Sequence, residues 1–85
     1  MPAKIDRLEH DVLREMLQMW RASVGLSQRE LSKKLGHAPN YIGRVESGVQ
    51  GLAVVDVVDL AVAMGKKPLD LFVQYCDALP ALGKS

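Results

Sequence analysis

The sequence predicts an all-α fold of five short helices in one domain. Three observations carry that expectation. Apolar residues recur at three- and four-residue steps along most of the chain, Gly and Pro fall where those stripes stop or start, and a helix-opening pair, Ser27 with Glu30, stands near the middle. A length of 85 residues leaves room for a single domain, whose core is expected to be marginal unless a partner covers more apolar surface. No internal repeat or low-complexity stretch interrupts the pattern.

The first helix is expected over about 5–23, where Ile5, Leu8, Val12, Met16 and Trp20 form one stripe, Leu13, Leu17 and Val24 widen it, and Met19 falls beside it. Trp20 is expected in the core. A Met-rich surface bearing a Trp would also suit a ligand pocket or a partner groove. The second helix, about 28–35, opens with Ser27 and Glu30 three apart, so that the hydroxyl accepts from the third free amide while the carboxylate reaches back. Leu31 and Leu35 then share a face, and Gly36 stands where a left-handed residue ends the helix.

The third helix is expected over about 39–46, with Pro39 at its first position and Ile42 and Val45 pointing inward. The pairs Leu31/Leu35 and Ile42/Val45 can close on each other only if the two helices cross steeply. That crossing leaves Asn40, Tyr41 and Arg44 outside. A fourth helix, about 54–64, has only Asp56, Asp59 and Ala63 for a wet stripe, so it is expected to be covered on nearly all sides. Its β-branched density would also allow a strand, but the two Asp at a step of three favour a helix. Gly65 ends it. Pro68 begins a fifth helix, about 68–77, which carries Leu69, Leu71, Phe72, Val73, Cys76 and Leu79, more apolar positions than one inward face uses. Residues 78–85 are expected to fray as a tail.

The residue types left outside on the third helix suit base reading in a major groove: Asn pairs with adenine, Arg with guanine, and a Tyr ring touches a thymine methyl or a phosphate. The other reading is an ordinary solvated face. A capped helix, a glycine turn and a second helix within about two dozen residues favour the first.

This pattern resembles the Cro/phage-repressor type of helix-turn-helix protein, the XRE family, over about Leu13 to Phe72. Gly25-Leu26-Ser27-Gln28 resembles the family's approach to its second helix, and Tyr41-Ile42-Gly43-Arg44-Val45-Glu46-Ser47-Gly48 its recognition-helix ending. Leu60-Ala61-Val62-Ala63-Met64-Gly65 and Leu69-Asp70-Leu71-Phe72 are similar to the motifs of its fourth and fifth helices. The resemblance implies a five-helix, lambda-repressor-like DNA-binding domain acting in transcription regulation.

It also implies roles residue by residue. Asn40, Tyr41 and Arg44 would face base edges. Gln28 would donate to a DNA phosphate and brace the base-reading side chains, with Arg29, Ser47, Gln50 and Arg21 also at the backbone. Arg21 would pair with Glu46, tying the first helix to the end of the recognition helix, a contact that sets geometry more than stability.

Several positions depart from the family. Ser32 replaces the usual alanine and is small enough to fit. His37 sits where an apolar residue is common, so it is expected to pack at the turn, with a phosphate contact as its other role. Ala38 lacks a capping oxygen, a loss of about 1 kcal/mol, and Gly43 costs roughly another 1 kcal/mol inside a helix unless its bareness allows close approach to DNA. The segment Val49-Gln50-Gly51 has no Lys or Arg, which predicts a shallow salt dependence.

The net charge of +1 is small for a nucleic-acid binder, but it is unevenly placed. Arg21, Arg29, Lys33, Lys34 and Arg44 face only Glu30 and Glu46 between Arg21 and Gly48, whereas Asp56, Asp59, Asp70 and Asp77 dominate the remainder. Lys33 and Lys34 serve either the field on that side or solubility alone.

Cys76 is the lone cysteine, so no intrachain disulfide forms and nothing points to an oxidising compartment. It is expected to behave as a small apolar residue, a redox link across a dimer being the other reading. Met1 to His10 is charged and lacks the apolar core of a signal peptide, and Asp56 and Asp59 interrupt the longest apolar run, so the expected location is cytoplasmic with no membrane partner. His10, His37 and Cys76 show no metal-ligand spacing, and no phosphate-cradling glycine loop is present, which argues against an enzyme, a metal or a cofactor.

The expected partners are double-stranded DNA and a second copy of the chain, meeting through Leu69, Phe72, Val73 and Cys76. The alternative to that dimer is a monomer with an apolar surface. A second functional class remains open: an antitoxin or adaptor of the same fold whose main partner is a toxin or other protein. Small regulators of restriction-modification systems share this size and layout.

Overall fold

The helix that opens with Ser27 is held by the most local chemistry in the chain. In the computed structural model, which describes residues 7–79, the Glu30 N–H donates to Ser27 Oγ at 3.0 Å and the Ser27 N–H to Glu30 Oε1 at 2.8 Å. Two of the amides that any helix start leaves bare are thereby satisfied. The elements are α1 (Leu8–Ser23), α2 (Gln28–Lys34), α3 (Tyr41–Ser47), α4 (Val54–Ala63) and α5 (Pro68–Ala78), with no strand among the described residues. Ile5 and the tail beyond Leu79 lie outside those residues.

α2 ends on Gly36, whose φ of 75° is the left-handed conformation that only a residue without Cβ adopts freely. The turn then closes with Gly36 N–H on Lys33 O at 3.0 Å and His37 N–H on Ser32 O at 3.0 Å, the paired bonds of a Schellman motif. α3 begins at Tyr41, two residues later than Pro39. Pro39 instead sits inside a turn in which the Tyr41 N–H reaches Ala38 O at 2.9 Å, a use to which its fixed φ is equally suited.

α2 and α3 pack on each other, α1 on α3 and α5, and α4 on α5. Leu17, Leu31, Ile42, Val45 and Leu71 are sealed between them together with Trp20 and Met16, and Leu60, Ala61 and Met64 close the far side. Each Leu or Ile so buried contributes about 1.5–3 kcal/mol. Two long-range bonds fix α1 on α5: Trp20 Nε1 donates to Gln74 Oε1 at 2.9 Å and Tyr75 Oη to Glu9 O at 3.0 Å.

Two expectations change. The stripe on α1 reaches the core from Val12 to Trp20, and Leu8 before it and Val24 after it are exposed. α4 is not covered all round: within one chain only α5 and the core side lie against it, leaving Val54, Val55, Val58 and Val62 open to solvent. Leu69, Phe72 and Val73 on α5 are open as well.

Candidate nucleic-acid interface

α3 is a short rod whose inward side is fully committed. Ile42 is 0 % exposed and Val45 1 %, and Gly48, with φ of 90°, ends the helix as the Gly48 N–H meets Val45 O and the Val49 N–H meets Arg44 O, each at 3.1 Å. A seven-residue helix is too short to persist alone. Its neighbours hold it at both ends.

At its start the anchor is Ser32, a residue of α2. Ser32 is 0 % exposed; its Oγ donates to Gln28 O at 2.8 Å and accepts the Ile42 N–H at 3.0 Å. The oxygen that Ala38 lacks is thus supplied from across the helix pair. Sequence reasoning gave Ser32 only a steric role. The available signal was an uncapped helix start facing a small hydroxyl residue on the packing face of the preceding helix.

At the other end Glu46 gathers three donors. Arg21 Nε lies 2.8 Å from Glu46 Oε2 and Arg21 Nη2 lies 3.0 Å from Oε1, a two-pronged pair in which the carboxylate side chain is 3 % exposed. Gln28 Nε2 donates to the same Oε1 at 2.7 Å, and Arg21 Nη1 to Leu26 O at 3.1 Å. One carboxylate therefore ties together α1, the start of α2 and the end of α3. Gly43 explains how Gln28 gets there: a Cβ at that position would stand 3.2 Å from Gln28 Oε1. The bareness of Gly43 accommodates a side chain of the protein itself.

The outward side is free. Asn40 is the residue before the first turn of α3 but makes no capping bond, and it is exposed, as is Arg44. Neither has a side-chain partner among the described residues. With Tyr41, Ala38, His37 and Gln50 they line a shallow concavity of about 340 Å³. Tyr41 is half-buried; burial, then the charges of Asp56 and Asp59, hold its phenol above the ordinary value, so it stays neutral and able to donate. Its ring stacks on His37 with centroids 3.8 Å apart and planes 14° from parallel. His37 is accordingly exposed on this surface rather than packed into the core.

Around this centre, Arg29 is exposed, the Ser47 hydroxyl donates to Arg44 O at 3.1 Å, and Gln50 is half-buried with Nε2 on Gly51 O at 3.3 Å. Leu69, Phe72, Val73 and Cys76 lie apart from this face, on α5, all exposed. No group of His, Cys, Asp and Glu among the described residues is placed to hold a metal. No described helix is long and apolar enough to cross a membrane.

Comparison with known proteins agrees with this geometry. The family described as helix-turn-helix matches residues 17–72. Among solved structures, the restriction-modification controller protein C.AhdI from Aeromonas hydrophila is 30% identical with a TM-score of 0.69, the alignment covering 78% of this chain and 100% of that one. An XRE-family like protein from Pseudomonas syringae is 24% identical with a TM-score of 0.76, covering 85% and 88%. The clp gene regulator ClgR from Corynebacterium glutamicum is 22% identical with a TM-score of 0.72, covering 85% and 77%. A search of curated proteins finds no match. The chain belongs to the helix-turn-helix family, as a DNA-binding regulator domain of the XRE type.

Proposed function

We propose that the chain is a homodimeric transcription regulator that lays α3 of each subunit in successive major grooves of an inverted-repeat operator, roughly 34 Å apart. One observation carries the reading: Asn40 and Arg44 face outward beside the half-buried Tyr41, all three without intramolecular side-chain hydrogen bonds, on a rod whose inner side and both ends are fixed. Asn40 and Arg44 have the donors and acceptors for paired contacts to adenine and guanine, and the Tyr41 ring suits a thymine methyl.

Gln28, Arg29, Ser47 and Gln50 border the same face and serve the sugar-phosphate backbone. Gln28 Nε2 carries two hydrogens, of which one is held by Glu46, leaving the other for a phosphate. Arg21 contributes chiefly by holding Glu46. The dimer seam falls on α5, where Leu69, Phe72, Val73 and Cys76 are open to solvent. Apolar area of that kind on so small a domain favours association.

Selection of bound fragments from a random pool of duplexes tests specificity and symmetry together. The expected result is a palindromic consensus with half-sites about one helical turn apart. A pool that yields no enriched motif defeats the reading. It would favour an antitoxin or adaptor that binds another protein, a role for which the apolar groove of about 570 Å³ between the start of α1, α4 and α5 is suited.

A further inference from the structure

We propose that the cleft between the last turn of α2 and the start of α3 is a binding site for one DNA backbone phosphate, and that filling it is linked to uptake of a proton by His37. The inference rests on the DNA-binding reading above and adds to it a contact, a charge and a pH dependence.

Arg29, Lys33 and His37 line one concavity of about 450 Å³, closed by Gly36 and Pro39. Arg29 and Lys33 are four residues apart on α2 and so project on one side of it. No carboxylate lines the cleft. The nearest in sequence, Glu30, is engaged by the Ser27 N–H. Neither Arg29 nor Lys33 has a side-chain partner among the described residues. A pair of unneutralised cations lining one hollow, with an imidazole on its wall, has the chemistry of a phosphate oxygen site.

His37 is also the wall between this cleft and the base-reading concavity, since it lines both. Two contacts hold it there. Its backbone is fixed by the N–H bond to Ser32 O at 3.0 Å, and its ring lies flat on Tyr41. Position is therefore determined before DNA arrives, and the imidazole braces Tyr41 with one face while also lining the cleft.

The charged and titratable groups around it are Arg29 and Lys33 from α2 and Tyr41 and Arg44 from α3. From α4, Asp56 and Asp59 act on Tyr41 without lining either hollow. A phosphate seated against Arg29 and Lys33 favours the imidazolium, which donates from both nitrogens and lies as a cation over the phenol face. Binding and protonation then promote each other.

The test is equilibrium binding of the full chain to its selected duplex, at about pH 6 and about pH 8 and constant salt, for the wild type, His37→Gln and Lys33→Gln. The wild type is expected to bind about 5- to 10-fold more tightly at the lower pH, as one linked proton allows. His37→Gln, at an exposed position, should keep the fold by circular dichroism and lose that dependence. Lys33→Gln should keep the pH dependence and lower the salt slope of log K by about 0.9, one phosphate contact's worth. A wild type that binds its site equally at both pH values, or a His37→Gln protein that retains the wild-type dependence, overturns the proposal and leaves the DNA reading standing. No binding to any duplex at either pH overturns both.

Discussion

Replacing Ser32 by alanine should destabilise this domain well beyond what a change of one oxygen on a small residue suggests. Among the described residues the Oγ is the acceptor of the Ile42 N–H, and both residues are 0 % exposed, so water cannot take its place. A buried amide left without a partner costs about 1–3 kcal/mol. Alanine returns about 0.5 kcal/mol of helix propensity in α2, leaving a net loss of about 0.5–2.5 kcal/mol. For a domain of this size that corresponds to a fall in Tm of roughly 2–20 °C. Thermal unfolding followed by far-UV circular dichroism, with wild type and S32A side by side, measures it. Because the lost bond fixes the start of α3, affinity for a specific duplex should fall at temperatures where the variant is still folded. A Tm unchanged or raised would refute the reasoning, since alanine would then be an equal filler and Ile42 would not depend on the hydroxyl.

Three further outcomes are expected. Gly43→Ala gains about 1 kcal/mol of helix propensity, while Gln28 Oε1 must give by a few tenths of an ångström, at a cost of at most about 0.5–1.5 kcal/mol from its bond to Glu46, so Tm should hold or rise while DNA affinity drops; comparing Tm with Kd separates the two. The Glu30 carboxyl is held below its ordinary value by the Ser27 N–H and then by the Ser27 hydroxyl. The charged form is thus favoured by folding, and its contribution, complete above the ordinary glutamate value of 4.5, is lost as pH falls through the lower folded value. Acid titration of stability should accordingly show a shallower decline below about pH 4.5 in Glu30→Gln than in the wild type. Phe72→Glu, at a position 52 % exposed in the single chain, should leave each subunit folded but make the particle monomeric by sedimentation and weaken operator binding at least about tenfold; an unchanged mass would place the seam elsewhere.

What could be read from the residues was what local chemistry decides. Ser27 with Glu30 opens a helix whatever surrounds it, and Gly36 ends one for the same reason. The inward positions of Leu31, Ile42 and Val45 follow from helical spacing. The contacts that complete the site are non-local: the Arg21–Glu46 pair was legible only through the family resemblance, and the others gave no local signal. Ser32 reaches α3 from ten residues away, and Gln28 folds over Gly43 to meet Glu46 eighteen residues on. His37 stays in the turn, and its ring stacks on Tyr41, four residues on. The apolar run of α4 implied that something covers it, but composition does not say whether the cover is the same chain; here Val54, Val55, Val58 and Val62 are left uncovered.

The most direct test of the central claim, that the outward edge of α3 reads bases, is the ratio of affinities for a selected duplex and a scrambled one, measured for wild type and Arg44→Ala at the same salt. Arg44 is exposed and has no side-chain partner among the described residues, so its loss should leave the fold intact. The account predicts a loss of about 1–3 kcal/mol on the selected duplex, little change on the scrambled one, and relaxed preference at one base pair. An equal fall on both duplexes would mean that Arg44 contributes only charge, and α3 would not be the reading element.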